Sequence, residues 1–362
     1  MSAKTQSTLK SALLVQPLSA HKVEADARTT HTHPRPDRAC IYPCQVWEYT
    51  CRHSIVFERE TSVPATIMDK QVQRFYQKGL HANSSGNWLM ALRNFKKCLE
   101  LDPTCAQAYY EIGILYYKRN QHEIALEHMQ KAVEHNTSNV QIHFALANIY
   151  LTSNQPKRAI KIYHDIENFD EDPTSALFLN LGIAYGAIGD RAQALSYLEK
   201  SIAIAPHNLE ALNSLGRVYY ESKNFEKARA LFQRLIRLNP SNADGHQMLG
   251  FVYAQEGKWD KAIHEWEQVL AIFPKREDML HQIGKAWGKL GEHEKAISML
   301  KKVIALNQEN LQARIDLSVI YLSSKRYDHA IQELRFAARL DPSNQIIKQL
   351  LTDAARLKKL YG

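Results

Sequence analysis

Apolar residues recur along this chain with one fixed, long period. Eight alanines follow one another in steps of 34 or 35 residues: Ala91, Ala125, Ala159, Ala194, Ala228, Ala262, Ala296 and Ala330. A constant period of this length is typical of proteins built from stacked structural repeats, in which each repeat buries its apolar face against its neighbours. The pattern therefore predicts one long array of repeats from residue 72 onward.

Each period contains two amphipathic segments with helical spacing. Before Ala228, for example, Leu215, Gly216 and Tyr219 fall within about one turn and form one buried face of a first helix. The small residues let two helix backbones approach closely, and Pro240 ends the second helix. A small residue stands twelve positions before every alanine: Gly79, Gly113, Ala147, Gly182, Gly216, Gly250, Gly284 and Ser318.

This order of residues resembles the tetratricopeptide repeat. The clearest matches run from Leu215 to Pro240 and from Leu249 to Pro274. The resemblance implies an all-α fold, a right-handed superhelical solenoid of tandem helix-turn-helix repeats. It covers residues 72–344 as eight units: 72–105, 106–139, 140–174, 175–208, 209–242, 243–276, 277–310 and 311–344.

The segments on either side of the array have different expected structures. Residues 1–67 lack the period and contain scattered prolines. We expect them to be disordered, or to lie outside the native chain if translation starts at Met68. Residues 345–362 are expected to form a capping helix that covers the last exposed core. Its apolar stripe consists of Ile346, Ile347, Leu350, Leu351, Ala354 and Leu357.

One irregularity falls inside the array. The third unit carries one extra residue in its closing turn, near residues 170–173. Because neighbouring repeats stack directly on one another, an extra residue between them is expected to bend the stack slightly.

Composition and charge narrow the classes of partner. The chain has a formal net charge of +8, and 23% of its residues are charged. Charges of both signs alternate along the repeats, which is typical of solvated helix faces, so nucleic-acid binding is not expected. No run of eighteen apolar residues occurs, so no membrane-spanning helix is predicted. Self-association through the imperfect first unit stays open.

The cysteines indicate the compartment and argue against a metal site. Five cysteines in 362 residues do not make a disulfide framework, which favours a reducing compartment such as the cytoplasm. A secretory signal is disfavoured because the apolar stretch after Lys10 is broken at Pro17. The spacing of Cys40, Cys44 and Cys51 differs from that of paired zinc knuckles, so neither a metal nor another cofactor is expected.

No catalytic motif is present in the sequence. It lacks a glycine-rich phosphate loop, a Gly-x-Ser-x-Gly elbow and a His-Glu-x-x-His zinc motif. We therefore predict a non-enzymatic scaffold or adaptor that binds a protein segment and assembles a multiprotein complex. One alternative is a noncatalytic subunit or targeting arm of an enzyme assembly. Another is an RNA-binding helical repeat protein, which would need a regular ladder of base-reading residues.

The resemblance also implies where the partner binds. In this family the first helices line a concave groove, at positions three residues before, one after and four after the small residue. The early repeats contribute a mostly apolar and aromatic set there: Tyr76, Leu80, Tyr110, Ile114, Tyr117, Phe144, Asn148, Leu179 and Ile183. The later repeats contribute a polar and locally basic set, with one lysine at its edge: Asn213, Arg217, Tyr220, Gln247, Phe251, His281, Lys285 and Lys289.

Two interpretations of the early apolar set are open. In the first, an extended or helical peptide lays its apolar part there and its acidic part near Arg217, Lys285 and Lys289, because cations bind carboxylates through charge-assisted hydrogen bonds. In the second, much of the set is ordinary packing between neighbouring repeats.

Overall fold

The computed structural model describes residues 69–169 and 173–361 of the chain. These residues form seventeen α-helices, and no strand occurs among them, so the predicted all-α fold is confirmed. The expectations for residues 1–67 and for a start at Met68 fall outside this range, as do residues 170–172 of the turn near 170–173 where an extra residue was expected.

The helices are α1 (Lys70–Ser84), α2 (Trp88–Leu101), α3 (Ala106–Tyr117), α4 (His122–His135), α5 (Val140–Thr152), α6 (Pro156–Phe169), α7 (Ser175–Ala187), α8 (Arg191–Ile204), α9 (Leu209–Glu221), α10 (Phe225–Leu238), α11 (Ala243–Gln255), α12 (Trp259–Ile272), α13 (Glu277–Lys289), α14 (His293–Leu306), α15 (Leu311–Ser323), α16 (Tyr327–Leu340) and α17 (Gln345–Tyr361).

Helices that are neighbours in the sequence pack together in pairs, and a short turn joins the two helices of each pair. Odd-numbered helices from α1 to α15 are the first members of these pairs, and all of them except α11 pack extensively against the even-numbered helix that follows. Helix α11 contacts α12 through Phe251 and Trp266. The second helices α2, α4, α6, α8, α12, α14 and α16 also contact the next helix along the chain. The eight-repeat division given above stays our proposal for the domain organisation, and this succession of helix pairs supports it.

The chain divides into two compact units, which are described separately. The described part of the amino-terminal unit comprises residues 69–169 and 173–248, and that of the carboxy-terminal unit comprises residues 249–361. The boundary falls inside α11.

Short polar side chains start many of the helices. Asn208 accepts hydrogen bonds from the backbone N–H groups of Glu210 and Ala211, and Asn224 accepts one from Lys227. Such caps satisfy amide groups at a helix start that have no carbonyl partner within the helix. The side chains that the sequence places in the turns therefore set the points at which the helices begin.

The turn inside each pair contains one residue with positive φ. Only glycine adopts this conformation without strain, and asparagine tolerates it better than most residues. The eight positions are again 34 or 35 residues apart: Gly86, Asn120, Asn154, Gly189, Lys223, Gly257, Gly291 and Lys325. This common turn geometry gives successive pairs the same reversal of chain direction.

The core of each pair is built on a close approach between its two helices. At Gly216, an added Cβ atom would lie 2.7 Å from Cε1 of Phe232, a side chain that is fully buried. Ala228 is also fully buried, one turn before Phe232 on α10. The same arrangement places Leu300 against Gly284 in the carboxy-terminal unit. Small residues on the first helix thus make room for large ones on the second.

Helix α17 covers the exposed side of α16 and matches most of the predicted stripe. Ile347, Leu350, Ala354 and Leu357 are buried in the same core cluster as α16, and Leu351 packs against its edge. Ile346 is 60% exposed, so its assignment to the stripe was wrong. It precedes Ile347 by one residue, which turns its side chain away from the buried face.

The close approach gives a direct test of the core. We expect Gly216→Ala to lower the free energy of unfolding by about 1–3 kcal/mol, because the new methyl group overlaps the Phe232 ring. Phe232→Leu removes the ring that the new methyl group would overlap, but it also leaves less apolar area buried in the core. The double variant should therefore lose less stability than the two single variants together in urea unfolding followed by circular dichroism. Strictly additive losses would show that the two residues do not share this contact.

Candidate functional site

Side chains of neighbouring first helices meet directly. In the amino-terminal unit, the amide nitrogen of Asn180 on α7 donates a 2.9 Å hydrogen bond to Oδ1 of Asn148 on α5. In the carboxy-terminal unit, Nε2 of His281 on α13 lies 2.7 Å from Oδ2 of Asp316 on α15. The outward side chains of α1, α3, α5, α7 and α9 are termed the amino-terminal first-helix surface. Those of α13 and α15 are termed the carboxy-terminal first-helix surface.

Half-buried aromatic side chains characterise the amino-terminal first-helix surface. Each of several predicted site residues packs edge-on or tilted against a ring of the second helix in its own pair. The ring centroids are 5.7 Å apart for Tyr76 and Phe95, 5.6 Å for Tyr117 and His122, 5.7 Å for Phe144 and Tyr163, and 5.7 Å for Tyr220 and Phe225. Tyr110 and Leu80 are also half-buried. These rings are held in place and still expose part of their area.

Three apolar residues of the predicted site are buried in the core. Ile114 is 6% exposed, Leu179 is 1% exposed and Ile183 is 4% exposed. They therefore pack between helices, and the second interpretation of the early apolar set applies to them. The sequence period gives the side of the helix on which a residue lies, but it does not give the depth of burial there.

Asn148 belongs to a buried polar network. It is completely buried, and its Oδ1 accepts hydrogen bonds from the Tyr163 hydroxyl at 2.5 Å and from Asn180 at 2.9 Å. The network joins α5, α6 and α7. Because buried polar groups are costly unless they are paired, such a network fixes the relative placement of the three helices. Asn148 therefore acts in positioning the first helices.

A carboxyl group interrupts the predicted apolar set. Glu111 on α3 is half-buried between Tyr76 and Tyr110, and burial raises the pKa of its carboxyl group to about 7. Lys118 and a hydrogen bond from the Tyr76 hydroxyl oppose that shift. Burial raises the pKa of the Tyr110 hydroxyl to about 12, and the nearby charge of Glu111 makes a smaller contribution in the same direction. Glu111 stands two residues before Gly113, a position that the sequence analysis did not assign to the groove.

Arg217 is not the exposed cation that the sequence analysis expected. It is 8% exposed, and burial lowers the pKa of its guanidinium to about 10, while Asp244 and Glu221 favour the charged form. Its Nε lies 3.5 Å from Oδ1 of Asn213, which is 7% exposed. Arg217 and Asn213 therefore pack together in the interior. The assignment of Arg217 to an open basic end was wrong.

The carboxy-terminal first-helix surface combines basic and acidic groups. Asp316 accepts a 3.0 Å hydrogen bond from Gln312 and contacts His281 through its other oxygen. Lys285 is half-buried and Lys289 is exposed. Burial and the charge of Lys285 lower the pKa of Lys289, and Asp316 opposes that shift. Asp316 was missed because, like Glu111, it stands two residues before the small residue of its helix.

The predicted site residues on α11 fall on either side of the unit boundary. Gln247 is half-buried in the amino-terminal unit. Phe251, in the carboxy-terminal unit, packs edge-on against Trp266 with ring centroids 5.5 Å apart. Phe251 thus repeats the contact between a first-helix ring and a second-helix ring seen in the other unit.

Neither a cluster of metal ligands nor a membrane-spanning helix occurs in residues 69–169 and 173–361. In that range no three His, Cys, Asp or Glu side chains are grouped so as to hold a metal ion. No helix there combines the length and the apolar character needed to cross a bilayer.

Sequence models agree with the helix-pair geometry. Models described as tetratricopeptide repeat match residues 106–139, 187–250, 224–277 and 289–354, which together amount to more than half of the chain. The chain belongs to the tetratricopeptide repeat family. The resemblance noted from the sequence is thereby confirmed, as are the repeat fold and the general role of such repeats in protein interaction.

Two curated relatives share short stretches with this tetratricopeptide repeat protein. Uncharacterized protein ycf37 from Pyropia yezoensis is 33% identical over 75 residues, covering 20% of this chain and 42% of that protein. Photosystem I assembly protein Ycf3 from Rippkaea orientalis (strain PCC 8801 / RF-1) is 30% identical over 83 residues, covering 20% and 48%. The matches span less than half the length of these relatives.

Solved structures share the fold. The C-terminal part of a TPR repeat-containing protein from Cytophaga hutchinsonii is 17% identical, with a TM-score of 0.56 over 67% of this chain and 99% of that chain. A chain of the APC/C hetero-tetramer Cut9-Hcn1 is 18% identical, with a TM-score of 0.52 over 74% of this chain and 52% of that chain. At these identities the likeness concerns the fold alone.

The raised pKa of Glu111 predicts a pH dependence of stability. The folded chain holds this proton up to about pH 7, and the unfolded chain releases it near 4.5, so stability falls as pH rises between these values. Glu111→Gln cannot ionise and still accepts from Tyr76. We expect it to match the wild type at pH 4 and to exceed it by about 1–3 kcal/mol at pH 8 in urea unfolding.

The matched control is Glu127→Gln, which removes an exposed carboxylate that pairs with Lys131. It should bring no gain at pH 8. If the stability difference between Glu111→Gln and the wild type is the same at both pH values, the carboxyl group is not desolvated as described.

Proposed function

We propose that this tetratricopeptide repeat protein is a non-enzymatic scaffold that binds a segment of a partner protein on its first-helix surfaces. The observation that carries this proposal is the set of half-buried aromatic rings on the first helices α1, α3, α5 and α9. Each ring is anchored by a second-helix ring, so Phe144 and Tyr220, for example, have little freedom left to lose when a partner binds. Rigid aromatic side chains with remaining exposed area are frequent carriers of binding energy.

The amino-terminal first-helix surface suits a segment with apolar side chains. Tyr110, Tyr117 and Phe144 offer apolar area to such side chains. Glu111 lies beside Tyr110 and offers a carboxyl group to a hydrogen-bond donor of the segment. Specificity would then come from one polar group within an aromatic surface, which is a common composition of ligand sites.

The carboxy-terminal first-helix surface suits an acidic residue or a terminal carboxylate. Lys285 and Lys289 are one helical turn apart, and the charge of each lies within reach of the other. Two like charges at this distance repel, and a bound carboxylate relieves that repulsion while gaining charge-assisted hydrogen bonds. We assign the acidic group to these two lysines because they bring two positive charges together on one face of α13.

The relatives give the proposal its general direction. One relative is named as an assembly protein of photosystem I. A role in assembling a complex through bound segments is consistent with that name. We infer that any catalytic activity of such a complex resides in another chain.

Charge reversal tests the acidic-segment assignment. Peptides selected on the full-length protein from a random display library are expected to carry Asp, Glu or a free carboxylate. Lys285→Glu/Lys289→Glu should weaken the binding of such a peptide by about tenfold or more, because two charge-assisted contacts become repulsive. Fluorescence anisotropy of the labelled peptide measures the change.

The control is Lys301→Glu/Lys302→Glu, which reverses two exposed cations on α14 in the same unit. It should leave the affinity within about twofold, since screened charges away from the site contribute little. Equal weakening by both double variants, or none by either, would contradict a carboxylate site at Lys285 and Lys289.

A further inference from the structure

A cationic cleft runs between α16 and α17 in the carboxy-terminal unit. It encloses about 1050 Å³, and the side chains that matter for its chemistry are Ile331, Arg335, Arg339, Ala355, Lys358 and Lys359. All four cations are exposed. None of these residues takes part in the first-helix surfaces described above, so the cleft is a second region of this chain with its own chemistry.

The positive charge of the cleft is only partly neutralised. Asp328, also in the lining, pairs with Lys358. Arg339 lies 4.8 Å from the centre of the Phe336 ring, which leaves its charge in place. Arg335 and Lys359 form no ion pair with any residue in the described part of the chain. Four cations facing one carboxylate leave a local excess of positive charge, which attracts anions.

Two apolar side chains also line the cleft. Ile331 is half-buried and packs against the core cluster of α16 and α17, and Ala355 is exposed beside the cations. A ligand that matches this arrangement needs an apolar strip between anionic groups. The cations of α16 are also one helical turn apart, at positions 335 and 339, which matches the spacing of carboxylates along one face of a helix.

We propose that the cleft between α16 and α17 binds an acidic amphipathic helix of a partner protein. Its apolar face lies over Ile331 and Ala355, and its Asp or Glu side chains bind Arg335, Arg339 and Lys359. Arginine is well suited to this role because its planar group binds a carboxylate through two hydrogen bonds. The amino-terminal segment of the chain does not match, since residues 1–68 contain more Lys and Arg than Asp and Glu.

This assignment is independent of the proposed function. It concerns second-helix residues of α16 and the following helix, and it would hold even if no segment binds near Lys285 and Lys289. Loss of binding on reversal of those two lysines and loss on reversal of Arg335 and Arg339 are therefore separate results.

The probe is a synthetic amphipathic peptide with leucine on one helical face and glutamate on the other, labelled with fluorescein. Its anisotropy is titrated with the full-length protein at physiological salt. Arg335→Glu/Arg339→Glu is expected to weaken binding by about tenfold or more. The matched control, Lys157→Glu/Lys161→Glu, reverses two exposed cations on α6 and should change affinity by less than about twofold.

A third variant tests whether the peptide binds in the cleft without changing the charge of the cleft. Ala355→Trp keeps every cation and places a bulky ring in the lining of the cleft, and we expect it to weaken peptide binding as well by obstructing the bound helix. Circular dichroism melting of each variant checks that α17 stays folded. Equal weakening by the two charge reversals, or full affinity with Ala355→Trp, would overturn the proposal.

Two further measurements distinguish other occupants. Vesicles containing phosphatidylserine test for a lipid surface, and light scattering tests for a second copy of the chain. Vesicle binding that is sensitive to Arg335→Glu/Arg339→Glu, without binding of the peptide, would overturn the proposal in favour of a membrane. A loss of self-association in that variant, again without peptide binding, would overturn it in favour of a dimer contact.

Discussion

The contact between a small residue of each first helix and a large side chain of its second helix sets the geometry on which the rest depends. Phe95, Leu198, Phe232 and Trp266 differ in shape, and each lies against a glycine. The glycine backbone allows the helices to approach until those side chains fill the gap. Core packing of this kind tolerates little change in volume, so the spacing of each pair is narrowly fixed.

The residues of a first helix that pack against its second helix are constrained by the fixed distance between the two helices. The residues on the opposite side of the first helix are free to vary. Phe144 of the amino-terminal unit and His281 of the carboxy-terminal unit stand at the same position of the repeat, three residues before the small residue of the first helix, and one is aromatic where the other is paired with a carboxylate. Binding chemistry can therefore change from repeat to repeat without loss of the fold. This is why the family membership of the chain indicates an interaction role and leaves the partner to the individual side chains.

The fold was predictable because its determinants repeat along the sequence. The small residue, the alanine and the large apolar residue each recur with the period, and periodic burial is visible from the sequence alone. The candidate site was predictable only in part. Arg217 was expected to be open and is buried, because the period of the sequence gives the side of the helix on which a residue lies and does not give its depth of burial. Glu111 and Asp316 face a neighbouring first helix from a position outside the family's groove pattern, so pattern matching passed over them.

Hydrogen–deuterium exchange of the full-length protein, with and without a peptide selected on it, tests the central claim that first helices form the binding surface. The account predicts slower amide exchange in α3, α5, α13 or α15, which carry Tyr110, Phe144, Lys285 and Asp316, and unchanged exchange in the second helices α4, α6 and α14. Protection confined to α4, α6 and α14 would contradict it.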